Sequence, residues 1–132
     1  MRLSKNQVKY IRSLEFKKQR KAEGLFLAEG PKLVGDLLGR MRCRLLVATD
    51  EWLAIHHAVP VEEVVSVSAD ELARASLLKA PQQVMALFEI PTYPTDASVV
   101  HRSLCLALDE VQDPGNLGTI VRLADWFGIS HL

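Results

Sequence analysis

Short apolar runs alternate with segments of helical periodicity along the first 90 residues, and this alternation limits the folds that the chain can adopt. The runs predicted to form strands lie at residues 25–28, 44–49, 64–67 and 83–90. Strands that alternate with helices build a sheet with helices packed on it, and the connecting helices make part of the sheet parallel. The pattern therefore predicts an α/β sandwich with a partly parallel sheet.

The first predicted helix has recognisable start signals. Ser4 and Gln7 form a capping box, and Leu3 with Val8 forms a hydrophobic staple. The apolar residues of this helix repeat at helical spacing: Val8, Ile11 and Leu14. We expect this stripe to lie in the core.

Three further helices are predicted before residue 91. Pro31 stands at the first turn of the second helix, which Gly39 ends. Its residues expected to face inward are Leu33, Val34, Leu37 and Leu38. The third helix is predicted from residue 50 to about 57, and the fourth follows Ser68, where Glu71 completes another capping box.

Composition places the chain in a broad class. Hydrophobic residues make up 48% of the 132, enough for one buried core or a core plus a further segment. The sequence shows neither a run of about 20 apolar residues nor the pattern of a signal peptide, so we expect a cytoplasmic protein without membrane contact. Cys43 and Cys105 each lie within an apolar run and are expected to be buried free thiols.

The charges are distributed unevenly although they sum to zero. Residues 1–44 hold twelve Lys and Arg against four Asp and Glu, a net charge of +8, and the remaining residues carry −8. This asymmetry indicates an anionic partner, with RNA or DNA ahead of a membrane surface. A solvated helix face is the alternative. The candidate RNA-binding residues are Lys5, Lys9, Arg12, Lys17, Lys18, Arg20 and Lys21.

Periodicity breaks after residue 90. The domain of residues 1–91 is predicted to bind RNA, and residues 92–102 form a linker rich in Pro, Thr and Ser. Residues 103–132 then predict a buried strand at 104–108, a polar loop at 109–117 and a helix at 118–127 capped by Gly128. A single strand–loop–helix unit cannot cover both faces of its strand, so we expect the chain to be truncated or to need a partner.

The loop of residues 109–117 carries the most informative pattern. Gly115 and Gly118 allow tight turns, and a loop at a helix N-terminus attracts anions, so a phosphate or a polarised hydroxyl would suit this site. Asn116 is predicted at the loop tip, with Arg122 one turn into the helix. The alternative is an ordinary turn capped by Asn116 or Thr119, because the pattern is not a phosphate-loop motif.

Two segments resemble a known family. The sequence Val-Gln-Asp-Pro-Gly-Asn-Leu-Gly-Thr-Ile-Val-Arg at 111–122, with Ala124-Asp125 and Phe127-Gly128, resembles motif 1 of SpoU/TrmH methyltransferases in the SPOUT superfamily. Ser4, Gln7, the basic segment through Arg20 and residues 26–30 and 80–88 resemble the family's substrate-binding domain. Many relatives have glycine where Gln83 stands, which leaves the local loop geometry open.

The resemblance implies transfer of a methyl group from S-adenosylmethionine to a ribose 2′-hydroxyl of ribosomal or transfer RNA, with Asn116 and Arg122 as the catalytic positions. A guanidinium has a pKa above about 12, so Arg122 is expected to anchor a phosphate and align the 2′-oxygen, not to remove its proton. A role for Arg122 as a base would need its pKa to be lowered, by a group that the sequence does not identify.

The resemblance also implies a trefoil-knot methyltransferase domain whose cofactor motifs would lie beyond Leu132. The chain alone is therefore expected to bind the cofactor poorly and to be inactive, and the full-length enzyme is expected to be a homodimer. A non-catalytic RNA-binding module is the alternative, and base methylation is a third possibility.

Several other residues are interpreted as structural. Adjacent His56 and His57 point about 100° apart on a helix and lack spaced partners, so no metal is expected. Trp52 and Trp126 are predicted to pack in the core or at an interface, with base stacking by Trp52 as the alternative. Asp113, in the acidic loop with Asp109 and Glu110, is expected to brace the turn that follows it.

Overall fold

The computed structural model describes residues 2–132, which divide into two compact units, the first ending at Thr92 and the second spanning Tyr93–Leu132. In chain order the first unit contains α1 (Lys5–Ser13), α2 (Lys17–Glu23), β1 (Leu25–Glu29), α3 (Pro31–Leu37), β2 (Cys43–Thr49), α4 (Asp50–Ile55), β3 (Val64–Val67), α5 (Ala69–Ala75) and β4 (Val84–Glu89). The second unit contains a short 3-10 helix (Ala97–His101) and α6 (Pro114–Trp126).

The first unit is built on a four-stranded sheet of order β1-β4-β2-β3. β4 pairs antiparallel with β1 on one side, where Leu27 faces Leu87, and antiparallel with β2 on the other, where Val47 faces Met85. β2 pairs in parallel with β3, and the register of β2 on β4 shifts between Cys43 and Leu45. The predicted α/β fold with a partly parallel sheet is confirmed.

Each face of the sheet buries its own apolar cluster. Met85 and Leu87 of β4 point to one face, where they join Ile11 of α1, Leu14 directly after α1, and Leu72 of α5. The alternate residues of β4 point to the other face and join the side chains of α3 and α4: Val84, Ala86 and Phe88 with Val34 and Trp52. This alternation is that of a strand buried on both faces, and it yields a three-layer sandwich.

The predicted helix starts are confirmed by their hydrogen bonds. The Gln7 amide donates to the Ser4 Oγ at 3.1 Å, and the Ser4 amide donates to the Gln7 Oε1 at 2.9 Å. The Ser68 Oγ likewise accepts from the Glu71 amide at 3.2 Å. Each bond satisfies an amide that the first turn of a helix leaves without a partner.

The first unit differs from prediction at four places. Helix α3 ends at Leu37, two residues before Gly39. The basic segment forms a separate helix, α2, which ends at Gly24 in the left-handed conformation with φ +66°. Leu33, expected in the core, is 48% exposed, because α3 directs Val34 toward the sheet. Helix α4 ends at Ile55, before the two histidines.

In the second unit the predicted strand at 104–108 is wrong. These residues have no regular secondary structure, and Leu104 is 73% exposed. A strand forms only when a neighbouring strand pairs with its backbone through hydrogen bonds. Residues 104–108 make a single backbone hydrogen bond to a distant residue, from the Leu106 amide to the His131 carbonyl at 3.1 Å. Residues 93–132 contain no strand that could extend this pairing.

The helix of the second unit begins earlier than predicted. Helix α6 starts at Pro114, not at Gly118, because Asp113 is its N-cap and Pro114 occupies the first helical position. Cys105, expected to be buried, is only half-buried. Trp126, expected to pack in the core or at an interface, is 83% exposed and so does not lie in the core. Among residues 2–132, no helix has the length and apolar character needed to cross a lipid bilayer.

The two thiols should differ in reactivity. Cys43 is 1% exposed and burial raises its pKa to about 11, whereas Cys105 is half-buried. A thiol must be accessible and deprotonated to react with a disulfide reagent. At pH 8 one thiol of the native protein should therefore react quickly, whereas both thiols of the denatured protein should react. A Cys105→Ser variant should abolish the fast phase. A fast phase that survives this substitution would contradict the placement of Cys43.

Candidate nucleic-acid interface

Two short helices hold all seven of the basic residues proposed to bind RNA. Lys5, Lys9 and Arg12 are spaced four and three residues apart, so they share one side of α1. The other four residues belong to α2: Lys17, Lys18, Arg20 and Lys21. Arg20 is half-buried, and the other six are exposed. The structure therefore presents these charges on two successive helices at the N-terminal end of the first unit.

Arg20 is used to fix the turn between the two helices. Its Nη1 donates to the Leu14 carbonyl at 2.9 Å and to the Glu15 carbonyl at 2.6 Å. These carbonyls belong to the two residues that follow α1, where no further helical turn supplies them with an amide partner. The guanidinium of Arg20 thus caps α1 and holds α2 against it, so less of its charge faces solvent than its sequence position suggests.

Arg12 makes a similar connection to the end of α5. Its Nη1 donates to the Ser76 carbonyl at 2.6 Å and to the Arg74 carbonyl at 3.3 Å. The buried Ser76 hydroxyl donates to the Glu29 Oε1 at 2.5 Å, and the Leu77 amide donates to the Glu29 Oε2 at 3.0 Å. This network, which joins α1, the end of α5 and the end of β1, was not predicted. Its signal was the carboxylate Glu29, which ends an otherwise apolar strand.

Five lysines remain without such partners. Within residues 2–132, no salt bridge or hydrogen bond involves the side chains of Lys5, Lys9, Lys17, Lys18 or Lys21. Lys17, Arg20 and Lys21 border a groove of about 450 Å³ whose other lining residues are Gly24, Ile90 and Thr92. The groove therefore combines cationic walls with an apolar floor.

Two further arginines of the basic N-terminal third are neutralised. Arg44 contacts Glu62 at 2.9 Å and Glu89 at 2.8 Å, and Arg42 contacts Glu62 at 2.5 Å. Beside this network the Tyr10 hydroxyl donates to Glu23 at 3.0 Å, and burial, reinforced by that carboxylate, raises the pKa of Tyr10. Within residues 2–44, Lys32 and Arg40 also lack a partner, so α1 and α2 hold most, but not all, of the unpaired positive charge.

Asn116 and Arg122 both lie on α6, as its third and ninth residues. An α-helix rises 1.5 Å and turns 100° per residue, so the two Cα atoms are about 9 Å apart along the axis and about 120° apart around it. Asn116 is therefore in the first helical turn and not at a loop tip, and Arg122 is more than two turns into the helix. Both are exposed, and within the described residues neither side chain makes a hydrogen bond.

The N-terminus of α6 carries its own anion. The Asp113 carboxylate accepts from the amides of Gly115 and Asn116, each at 3.3 Å. The expected bracing role of Asp113 is confirmed. Because the negative charge of Asp113 already satisfies the first-turn amides, the expectation of a phosphate at this terminus is corrected. The alternative, a polarised hydroxyl, stays a prediction.

Trp52 and His56 pack against each other near the end of α4. Trp52 is 3% exposed, so it belongs to the core and is not available to stack on a base. Its ring stacks on His56 with centroids 3.9 Å apart. Among the residues that the structure describes, no group of three His, Cys, Asp or Glu side chains is placed to hold a metal ion.

The second unit by itself does not fit S-adenosylmethionine. An adenosyl cofactor needs a pocket that encloses most of its surface. Residues 104–108 border an open groove of about 880 Å³, and Leu104 at its edge is largely exposed. Residues 93–132 taken alone therefore do not enclose such a cofactor.

Comparison with known proteins gives consistent matches. Residues 5–86 match the model of the MRM3-like substrate binding domain. The chain is 31% identical over 128 residues to the Bacillus subtilis 23S rRNA (guanosine(2553)-2′-O)-methyltransferase RlmP, and the alignment covers 96% of this chain and 50% of that protein. The chain thus spans about half the length of this relative.

Solved structures give the same result. A protein assigned to the TrmH family of RNA methyltransferases from Porphyromonas gingivalis superposes with a TM-score of 0.79 at 43% identity, over 98% of this chain and 51% of that chain. An AdoMet-bound rRNA methyltransferase from Sinorhizobium meliloti superposes with a TM-score of 0.60 at 32% identity, over 97% of this chain and 50% of that chain.

The structural use of Arg20 can be tested against its neighbour Lys21. Arg20→Ala should lower the free energy of unfolding by about 1–2 kcal/mol, because it leaves two carbonyls at the end of α1 without their charged donor. Lys21→Ala, on the same helix, should change it by less than about 0.5 kcal/mol. Urea unfolding of both variants measures the difference, and equal stabilities would show that the Arg20 bonds are not stabilising.

Proposed function

The chain belongs to the SpoU/TrmH family of RNA 2′-O-ribose methyltransferases, and on that premise we propose that its first unit is the RNA-recognition part of such an enzyme. The observation that carries the proposal is the set of five unpaired lysines on α1 and α2, within the part of the chain that matches the substrate binding domain. Lysines without carboxylate partners can exchange bound counterions for RNA phosphates, which is the main source of affinity for nucleic acids.

We propose that the full-length protein transfers the methyl group of S-adenosylmethionine to a ribose 2′-hydroxyl, with ribosomal RNA as the substrate ahead of transfer RNA. Support comes from two similar proteins. The Bacillus subtilis relative is a 23S rRNA 2′-O-methyltransferase, and the Sinorhizobium meliloti structure is an rRNA methyltransferase with AdoMet bound. The 2′-hydroxyl distinguishes RNA from DNA, so this chemistry fixes the class of nucleic acid.

For residues of the second unit we propose roles on the RNA side of the reaction. Arg122 can bind a phosphate through two parallel hydrogen bonds and so orient the adjacent ribose. Asn116 offers a donor and an acceptor to the same nucleotide. The exposure of both side chains on α6 supports these roles, because each is free to meet a substrate.

We further propose that the full-length enzyme is a homodimer through its methyltransferase domain. In the second unit α6 and the residue after it expose large apolar side chains, including Leu123 at 52%, Trp126 at 83% and Phe127 at 72%. Adjacent exposed apolar residues of this size are typical of surfaces that are covered in the assembled protein.

A non-catalytic RNA-binding module is the second candidate for the 132 residues taken alone. It is favoured by the complete sheet and core of the first unit beside a second unit that builds no cofactor pocket from residues 93–132. In that case the chain alone binds RNA, and it neither binds S-adenosylmethionine at micromolar concentration nor turns over.

RNA binding should depend on the unpaired lysines. Changing Lys17, Lys18 and Lys21 together to Ala should weaken binding to ribosomal RNA hairpins and transfer RNA, and should reduce the slope of log K against log salt by roughly 2. Fluorescence anisotropy across a salt series measures both. The matched control changes Lys32, Arg40 and Lys79, which lie outside α1 and α2. Equal losses in the two variants, or no binding at low salt, would contradict the proposed interface.

Methyl transfer should depend on Arg122. In a protein that carries the complete methyltransferase domain, Arg122→Ala should lower kcat by about 100-fold, because the 2′-oxygen loses its alignment. Arg122→Lys should recover little, since an ammonium cannot bind phosphate in two places. Arg102→Ala, which removes an exposed arginine paired with Asp96, is the control. Incorporation of labelled methyl groups into RNA measures the rates, and wild-type rates in Arg122→Ala would refute the role.

A further inference from the structure

Phe16 is an aromatic side chain on the surface of the first unit. Its side chain is 63% exposed, whereas the other aromatic residues described between residues 2 and 92 are buried or half-buried: Tyr10, Phe26, Trp52 and Phe88. It lies in the turn between α1 and α2, directly before Lys17. A phenyl ring that is mostly exposed and flanked in sequence by Glu15 and Lys17 contributes little to the core, so a binding role accounts for it better than packing does.

The backbone around Phe16 is held rigidly. The Phe16 amide donates to the Ser13 carbonyl at 3.2 Å, and its carbonyl accepts from the Arg20 amide at 3.0 Å. The Arg20 guanidinium also binds the carbonyls of the two preceding residues. A ring on a fixed turn loses little conformational entropy when it is covered, which favours a stacking platform.

The surrounding charge selects the class of ligand. Lys17, Lys18 and Lys21 follow Phe16 on α2, and within residues 2–132 none of them has an ion-pair partner. Lys17 and Lys21 also border the groove that has Ile90 in its floor. An aromatic ring among unpaired cations suits a ligand with flat faces and regularly spaced negative charges, and single-stranded nucleic acid has both.

We propose that Phe16 stacks on an unpaired base of the RNA while Lys17 and Lys21 hold the neighbouring phosphates. This inference rests on the proposed RNA-binding function and makes it more specific. Bases inside a continuous A-form duplex are stacked on each other and offer no free face, so the substrate class is an RNA with an unpaired nucleotide, such as a loop or bulge. Stacking is tolerant of base identity, so the nucleotide is selected by its exposure and not by its type.

The test compares two RNA probes with the complete 132-residue chain. The probes are a single-stranded oligouridine of about 12 nucleotides and an RNA duplex of about the same length, both measured by fluorescence anisotropy. Phe16→Ala and Phe16→Leu should weaken binding to the single strand roughly 5- to 100-fold and leave duplex binding within about twofold. Phe16→Trp should bind the single strand at least as well as wild type. The slope of affinity against salt should stay unchanged, because no phosphate contact is lost.

Ile55→Ala provides a matched control, since Ile55 is 77% exposed on α4, which packs on the other face of the sheet. Equal loss on both probes, or a Leu variant that binds like wild type, would overturn the stacking role. A change in sedimentation of the RNA-free protein on Phe16→Ala would also overturn it and assign the ring to a protein contact. If RNA binding is salt-sensitive but unchanged in the Phe16 variants, this inference alone is refuted. If the chain binds no RNA at all, the proposed function is refuted.

Discussion

The burial of β4 on both faces is the constraint on which the first unit depends. Its residues from Val84 to Phe88 are all nearly inaccessible, and alternate side chains enter two separate clusters. A strand of this kind needs a helix layer on each side, because its exposed apolar area would otherwise cost about 25 cal/mol per Å². The layer that contains α1 is therefore required for folding, and Lys5 and Lys9 are presented by a helix that cannot detach while the core stays intact. Helix α2 buries no residue, and Arg20 ties it to the end of α1.

Arginine and lysine serve different purposes on this basic surface. Arg12 and Arg20 direct their planar guanidinium groups to pairs of backbone carbonyls, a geometry that an ammonium group on a flexible chain does not reproduce. The five lysines of α1 and α2 make no such bonds within residues 2–132. The arginines thus fix the backbone, and the lysines keep their charge available for a partner. A count of basic residues overstates the interface, because it treats the two groups as equal.

The features that could be predicted from the sequence are those determined by short-range signals, such as helix caps and turns. The Ser4–Gln7 capping box, the Ser68 cap of α5 and the turn braced by Asp113 depend on residues within a few positions of each other, and the structure has them. The run at 104–108 is apolar enough for a strand, but pairing depends on a distant neighbour that local sequence does not specify. The Arg12–Ser76–Glu29 network joins residues as many as 64 positions apart, and no periodic pattern could reveal it. Site residues on α1, α2 and α6 could be named, but not which of them the fold would use internally.

Asp113 limits the groups that the N-terminus of α6 can bind. A helix N-terminus with free amides attracts phosphate, but here a carboxylate already occupies the amides of Gly115 and Asn116. A phosphate brought to this end would meet a fixed negative charge, so the terminus favours a neutral group such as a ribose hydroxyl. We propose that phosphate binding falls to Arg122, about 9 Å further along the axis from Asn116. On this proposal the two side chains meet different parts of one nucleotide, Asn116 the sugar and Arg122 the phosphate beside it, because this spacing is longer than a single hydrogen bond.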